Sequence, residues 1–270
     1  MQTERVIFRE LPHDYRGVES GLFYTPVSTV AKKFLPDVDW DAMLERSAKK
    51  SGTTPERLKA YWDLKKNLGT SVGTYIHAIE ESKLFEDGVD ELGLKVVPYE
   101  VEGSDKYQIQ NIKPGHAYPE LITSINKDHV RIAGTSDKLS VDNQGFVHIL
   151  DYKTDYSIDT KSFYDWKSKK YSMLKYPLDG IINSNYWIYG LKMSMYMFFT
   201  LHSYPEFKPG TILLEHKPLL RTEDKVPILN PETGLPQVLE DKVKLIDVDY
   251  GFFEPHIRKM LNAYYKMTKV

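Results

Sequence analysis

The chain has 270 residues, of which 41% are hydrophobic and 27% charged, and its formal net charge at pH 7 is -2. This length accommodates one large domain or two small ones. The near-neutral charge gives no overall signature of nucleic-acid binding, so a site for a polyanion must be a local basic patch balanced by acids elsewhere. The absence of cysteine excludes disulfides, cysteine-ligated zinc, iron–sulfur clusters and thiol catalysis.

The sequence does not predict export or insertion into a membrane. Residues 1–15 lack the apolar core of a signal peptide. The most apolar run, residues 187–201, is too short to span a bilayer and contains Lys192. We therefore expect a soluble protein with no membrane partner, located in the cytoplasm.

The N-terminal part predicts short strands followed by helices. The strands are expected at residues 5–9 and 22–24, a short helix at 27–34 and a second helix from Asp39 to the turn at 51–55. Thr54 suits an N-cap and Pro55 suits the first helical position, so a new helix begins there. A third helix is predicted from Ser71 to about Phe85, ended by Asp87 and Gly88.

The remaining chain predicts a β-rich middle and two later helices. Strands are expected at residues 94–99, 130–141, 146–154, 210–216 and 243–248, and helices at 184–202 and 255–267. This order indicates a single α/β domain, residues 1–270, with a mixed central sheet flanked by helices. Residues 1–65 are expected to form a hairpin and helical part, in front of a core made by residues 66–270.

Residues 143–145 predict the turn of a β-hairpin. A three-residue hairpin loop typically ends in a left-handed residue, and Gly145 adopts that conformation at little cost. With this loop, counting outward along the two strands places Asp137 directly opposite Asp151. Lys153 follows two residues later and therefore projects from the same face.

This arrangement predicts a metal site for phosphodiester hydrolysis. Two carboxylates as close as cross-strand neighbours repel each other unless a proton or cation lies between them. A hard divalent cation such as Mg²⁺ accepts oxygen ligands and can activate water, while Lys153 can orient that water or stabilise the transition state. The alternative is an ordinary surface hairpin with a cross-strand salt bridge. The other residues of the predicted face are apolar: Leu139, Val141, Val147 and Ile149.

Residues 134–137 (Gly-Thr-Ser-Asp) followed by 149–154 (Ile-Leu-Asp-Tyr-Lys-Thr) resemble the RecB-type branch of the PD-(D/E)XK nucleases. That branch includes the mitochondrial genome maintenance exonuclease and many phage exonucleases. Residues 68–80 are similar to the family's Gly-Thr-x-x-His helix, and Pro119-Glu120 to its additional glutamate. Residues 185–196 match the family's helix after the active strand, so the resemblance covers most of the chain.

The resemblance implies a role for five residues. Asp137 and Asp151 would be metal ligands, Lys153 the catalytic lysine, His77 an additional metal ligand or water-positioning group, and Glu120 an acid near the metal. On sequence grounds alone, a lone helical histidine is more often a surface or packed residue. A glutamate that follows a proline is equally typical of a solvated loop.

The implied fold is the PD-(D/E)XK core, with a mixed sheet flanked by helices and an N-terminal helical subdomain that narrows access to the site. The implied activity is a metal-dependent DNA exonuclease of replication, recombination or repair, phage or phage-like, which uses one or two Mg²⁺ or Mn²⁺ ions and no iron–sulfur cluster. The expected partner is linear DNA ends with single-stranded character. No Walker A motif occurs, so a helicase or recombination partner would be a separate protein. Alternatives are a non-catalytic DNA-binding or scaffold module of the same fold and a sequence-specific endonuclease, and RNA remains open as a substrate.

Candidate DNA contacts follow the catalytic strand. Residues 161–175 interleave lysines with aromatic residues, which suits a single-stranded backbone and is also typical of a solvated loop. Tyr189, Lys192 and Tyr196 share one face of the predicted helix. Tyr196 matches the family's tyrosine, whereas Lys192 stands where the family usually has glutamine. The candidate lysines of the basic run are Lys167, Lys169 and Lys170.

Overall fold

The fold comes from a computed structural model that describes residues 4–103, 105–127, 129–165 and 169–269. Strands and helices follow in this order: β1 Val6–Arg9, β2 Asp14–Gly17, β3 Phe23–Pro26, α1 Val27–Lys32, α2 Trp40–Ser51, α3 Pro55–Asp87, β4 Lys95–Val96, β5 Glu100–Glu102, β6 Asp105–Tyr107, β7 His116–Lys127, β8 Val130–Val141, β9 Phe146–Lys153, β10 Tyr164–Asp165, β11 Lys170–Tyr171, α4 Asn185–Ser203, β12 Lys208–His216, β13 Lys244–Asp247 and α5 Tyr250–Thr268.

Strand β8 is the centre of a large mixed sheet. One edge of β8 pairs antiparallel with β7 along its whole length. The other edge is shared, because its C-terminal end pairs antiparallel with β9 and its N-terminal end pairs parallel with β3. Beyond β9 the sheet continues to β12 and β13, and beyond β3 it continues through β2, β1 and β6 to β5. The prediction of an α/β fold with a mixed sheet flanked by helices is confirmed at this level.

The β8–β9 hairpin has the predicted register. The N–H of Asp142 donates to the Phe146 carbonyl oxygen at 3.0 Å, and Gly145 is left-handed with φ +82°. The ladder continues in register to Lys138, which pairs with Leu150. One position further along each strand lie the two aspartates that were predicted to face each other.

The hydrophobic core gives this hairpin a rigid support. The four apolar residues predicted on its inner face are at most 1% exposed and join one cluster with buried residues of α4 and α5. Burial of an aliphatic or aromatic side chain of this size contributes roughly 1.5–3 kcal/mol. The largest buried members from the two helices are Met193, Met195, Met197, Phe199 and Phe253.

Helix α3 differs from the prediction, because one continuous helix replaces the two expected at Pro55 and Ser71. The predicted N-cap is correct, since the Thr54 side chain accepts a hydrogen bond from the Arg57 N–H. Gly69 lowers the helix propensity by roughly 1 kcal/mol relative to alanine. Nevertheless, most of the surrounding residues are good helix formers, and no proline interrupts them. The boundary expected between residues 65 and 66 therefore falls inside α3.

Strand β7 was not predicted, and it is among the longest strands of the sheet. Pro119 and Glu120, which we expected before a β-prone run, lie inside it. Strand β4 pairs only with the first two residues of β7, so the part that follows is an edge where proline is tolerated. Among the described residues, no helix combines the length and the apolar character that a membrane crossing requires.

Candidate metal centre

Asp137 occupies a gap in the pairing of β8. Along one edge of β8, the residues after Asp137 pair with β9 and the residues before Asp137 pair with β3. At the gap, the Asp137 carboxylate takes the place of a ladder partner, because its Oδ2 accepts a hydrogen bond from the Tyr152 N–H at 2.7 Å. This bond ties Asp137 to the end of β9, where Asp151 and Lys153 lie.

Glu120 faces Asp137 from the opposite edge of β8, because the pairs on either side of it keep the β7–β8 register. Its backbone is left-handed, with φ +49°. In a regular strand, residues 118 and 121 would project from opposite faces, yet Tyr118 and Leu121 both belong to the main core. The left-handed residue between them therefore accompanies a local change of face in β7 next to the site.

His77 reaches the same place from α3. Its Nε2 lies 3.0 Å from the Tyr152 carbonyl oxygen, and its Nδ1 lies 3.4 Å from Asp137 Oδ1. Because a carbonyl oxygen can only accept, Nε2 carries a proton and donates it. Nδ1 is then free either to hold a second proton or to offer a lone pair to a cation.

The charges of these residues depend on one another. Although burial lowers the pKa of His77, the hydrogen bond and charge of Asp137 raise it above its ordinary value. Burial also raises the pKa of Asp137, but the His77 hydrogen bond and the Lys153 charge hold it below its usual range. Burial and, to a lesser extent, the charge of Asp137 raise the pKa of Glu120 to about 7. A proton on Glu120 or His77 therefore relieves the repulsion when no cation is present.

Asp151 and Lys153 form an ion pair at the end of β9. Lys153 Nζ also donates to the Tyr152 carbonyl oxygen at 3.0 Å. Burial raises the pKa of Asp151, and the Lys153 charge only partly opposes that shift. Burial lowers the pKa of Lys153, but the charges of Asp151 and Asp137 raise it above its ordinary value, so the lysine remains charged.

The donor set fits a divalent cation. His77, Glu120 and Asp137 each offer one ligand atom, and these atoms lie within 4.8 Å of one another. In octahedral Mg²⁺ coordination, opposite ligands are about 4.2 Å and adjacent ligands about 3 Å apart, so binding would draw the three side chains closer together. Two carboxylates and one imidazole suit Mn²⁺ as well as Mg²⁺. Asp151, which we predicted as a ligand, is not in this group because its carboxylate faces Lys153.

Tyr189 separates two lysines beside the acids. Lys153 Nζ lies 5.0 Å and Lys192 Nζ 5.5 Å from the centroid of its ring. The Tyr189 hydroxyl donates to Asp155 Oδ2 at 2.6 Å, which fixes the ring. Burial and, to a lesser extent, the charge of Lys153 lower the pKa of Lys192. Of the three predicted residues on α4, Tyr189 therefore contacts Lys153, and Lys192 lies on the same tyrosine ring.

Tyr196, the third, packs against β8 where Gly134 allows a close approach. A Cβ atom at Gly134 would lie only 2.7 Å from the Tyr196 ring and 3.0 Å from Val27. Burial raises the pKa of Tyr196 well above its ordinary value, and the acids of the site add to the shift. The glycine of the Gly-Thr-Ser-Asp motif thus serves the packing of Tyr196 next to the site.

The basic run lies apart from these residues. Lys169 and Lys170 are exposed on the small hairpin of β10 and β11. Within the ranges that the structure describes, no contact joins them to the acids. Lys167 lies outside the described residues.

Two residues of the site were not predicted from the sequence. Lys106, on β6, forms an ion pair with Glu120 at 3.7 Å. Nothing in the sequence indicates this pair, because β6 reaches the site only through the N-terminal strands. Asp155 could have been found, since it follows Lys153 by two residues and would share its face in a continued strand.

Comparison with known proteins adds little. No family model and no curated protein matches the chain. A solved structure described as the crystal structure of SSO0001 is 12% identical and superposes with a TM-score of 0.38, over 91% of this chain and 76% of that one. A likeness at this level carries no argument about function.

Proposed function

We propose that this protein is a metal-dependent DNA exonuclease with a PD-(D/E)XK core. The observation that carries the proposal is the row of Glu120, Asp137 and Asp151 across three neighbouring strands. His77 approaches the row from α3, and Lys153 stands at its end. A surface hairpin with an ordinary salt bridge does not require a left-handed glutamate or a histidine oriented by a backbone carbonyl.

The chemistry follows from the roles that these side chains can take. Mg²⁺ or Mn²⁺ held by His77, Glu120 and Asp137 would supply positive charge beside a scissile phosphate and make a nearby water more acidic. Lys153 stabilises the negative charge that develops on the phosphate in the transition state. Asp151 holds the Lys153 ammonium in position through their ion pair.

The substrate is linear DNA, bound from its ends. Tyr189, Lys192 and Tyr196 are the candidate contacts closest to the acids. Lys169 and Lys170 are exposed on a separate hairpin and, with Lys167, are candidates for contact with more distant phosphates. The Cys-free sequence leaves no ligands for an iron–sulfur cluster.

The proposal is tested by degradation of linear DNA labelled separately at its 5′ and 3′ ends, with Mg²⁺, Mn²⁺ or EDTA. We expect metal-dependent shortening that Lys153→Ala and Asp151→Asn each reduce about 100-fold or more, since a transition-state contact is lost. Lys208→Ala is the matched control and should leave the rate unchanged. Lys208 is exposed at the start of β12 and pairs with Phe146, at the opposite end of β9 from Lys153.

Two results would contradict the exonuclease. Folded protein that binds DNA but cuts nothing under any condition would identify a non-catalytic binding module. Cleavage of covalently closed circles at fixed sites would identify an endonuclease instead. A closed circular substrate is therefore run beside the linear one, and a linear RNA tests the type of nucleic acid.

A further inference from the structure

Two lysine–tyrosine pairs lie next to each other outside the metal centre, one on the N-terminal half of α3 and one on the loops that follow β9 and β12. Lys225 Nζ is 4.2 Å from the centroid of the Tyr156 ring, and Lys65 Nζ is 5.3 Å from that of Tyr61. Lys65 also donates to the backbone carbonyl of Asp224, the residue before Lys225. These four side chains therefore form one patch, the tyrosine–lysine surface (Tyr61, Lys65, Tyr156 and Lys225).

The tyrosine–lysine surface is attached to the end of the catalytic strand. Tyr156 follows Lys153 by only three residues. Arg221 donates to the Thr154 carbonyl oxygen at 2.6 Å and to the Lys225 carbonyl oxygen at 3.0 Å. These two hydrogen bonds hold the loop that carries Lys225 against Thr154, the residue after Lys153. The tyrosine–lysine surface therefore lies directly beside the metal centre.

The two rings are available to a ligand. Tyr156 is 58% and Tyr61 39% exposed, and neither belongs to the hydrophobic core. An exposed aromatic ring with a neighbouring lysine offers a face for an unpaired base and a charge for its phosphate. The bases of a duplex are already stacked inside the helix and cannot use such a face.

We propose that the tyrosine–lysine surface binds a single-stranded segment of DNA adjoining the scissile bond. Unpaired bases stack on Tyr156 and Tyr61, and the backbone phosphates lie beside Lys225 and Lys65. The inference deepens the proposed function by assigning it a single-stranded substrate, and it rests on that function for the position of cleavage. Binding itself requires neither the metal nor the chemistry.

Stacking supplies most of this affinity. The turn that carries Lys225 also carries Glu223 and Asp224, whose carboxylates offset the lysine charges. Loss of a ring should therefore weaken binding at all salt concentrations, whereas loss of Lys225 should mainly reduce the dependence on salt.

The test is the Kd of labelled single-stranded and duplex oligonucleotides in EDTA, measured by fluorescence anisotropy at several salt concentrations. We expect Tyr156→Ala to weaken single-strand binding about tenfold and leave duplex binding unchanged, and Tyr156→Phe to bind normally because the ring remains. Lys225→Ala should lower the salt slope. The matched control is Lys208→Ala, which removes the lysine that lies 5.4 Å from the Phe146 ring at the far end of β9.

The outcomes separate the two proposals. If the wild type degrades DNA but Tyr156→Ala binds single strands as tightly as the wild type does, the surface inference is overturned and the exonuclease is not. If Tyr156→Ala weakens single-strand binding while the wild type cuts nothing, the surface is supported and the exonuclease is overturned. Thermal unfolding of each variant verifies that these exposed substitutions leave the fold intact.

Discussion

Glu120 combines two unfavourable features at one position of the candidate metal centre. Its backbone has φ +49° inside a strand, which costs a non-glycine residue on the order of 1–2 kcal/mol. Its carboxylate is mostly buried and faces Asp137, and Lys106 offsets only part of that charge. Such strain persists where the surrounding structure enforces it and is concentrated at functional sites. A bound cation would relieve the electrostatic part.

This arrangement predicts how stability depends on pH. The pKa of Glu120 in the folded protein, about 7, lies above the ordinary value of 4.5. The folded state therefore binds the proton more tightly than the unfolded state does. The resulting stabilisation is complete below pH 4.5 and is lost as the pH rises to about 7. We expect Glu120→Gln to flatten this part of the stability profile.

The measurement is thermal unfolding in EDTA from pH 5 to pH 8, for the wild type and Glu120→Gln. Glu254→Gln is the control, because Glu254 is a partly exposed helix residue paired with Arg258, far along the chain from the acids. Identical pH profiles for the wild type and Glu120→Gln would refute the shift. With Mn²⁺ present, the fall of Tm towards pH 7 should diminish, because the cation replaces the proton.

Lys192 stands where the nuclease family that the sequence resembles usually has glutamine. Among the described residues it forms no ion pair, and its Nζ lies 5.5 Å from the centroid of the Tyr189 ring. A half-buried cation without a carboxylate partner is well suited to a phosphate. We expect Lys192→Gln to raise the KM for DNA about tenfold, from the loss of one charge-assisted hydrogen bond, and to leave the metal dependence unchanged. Steady-state kinetics at constant salt would contradict this if KM were unaltered and only kcat fell.

At the scale of elements, the metal centre depends on the close approach of α3 to the end of β9. A Cβ atom at Gly73 would lie 3.6 Å from Thr154 Oγ1, an ordinary contact distance, so this part of α3 lies directly beside the end of β9. His77, one turn later, is thereby brought to the Tyr152 carbonyl. The family-like Gly-Thr-x-x-His segment is thus a contact between helix and strand, and it lies within the helix rather than at its start.

Gly69 has no such role. A Cβ atom there would meet nothing within 4 Å, and the residue lies inside the continuous α3. Gly69→Ala should therefore stabilise the protein by about 0.5–1 kcal/mol, because alanine loses less backbone entropy in a helix. Chemical denaturation would measure the change. If α3 were in fact interrupted near residue 70, the substitution would not increase the free energy of unfolding.

At the scale of the whole molecule, the two faces of the sheet have different surroundings. Helices α4 and α5 cover the face that holds the main core. On the other face, a cavity of about 1060 Å³ lies between α3 and the β8–β9–β12–β13 part of the sheet. Lys138, buried at 2% exposure, pairs there with Asp90 and Glu91. This cavity is separate from the metal centre, although Lys138 is the chain neighbour of Asp137.

The local parts of the site could be predicted from the sequence. The hairpin around Gly145 was predicted with its register, because a short turn and an alternation of apolar residues suffice to determine which strand residues face each other. The facing pair Asp137 and Asp151, and Lys153 beside them, followed from counting along two adjacent strands. The N-cap at Thr54 was likewise determined by neighbouring residues.

The family resemblance named Glu120 and His77 as candidates, but only the tertiary structure brings them together with Asp137 and adds Lys106. Glu120 lies on β7, which was not predicted because it contains a proline, and His77 lies on a helix that continues through two glycines. Lys106 lies on β6, which pairs with the N-terminal strand β1. These contacts join residues separated by 14 positions (Lys106 and Glu120) to 75 positions (His77 and Tyr152), and no local pattern encodes which of them meet. Turn chemistry and hydrophobic alternation determine short-range pairing, whereas the approach of distant elements depends on packing of the whole core, which a single sequence does not reveal by inspection.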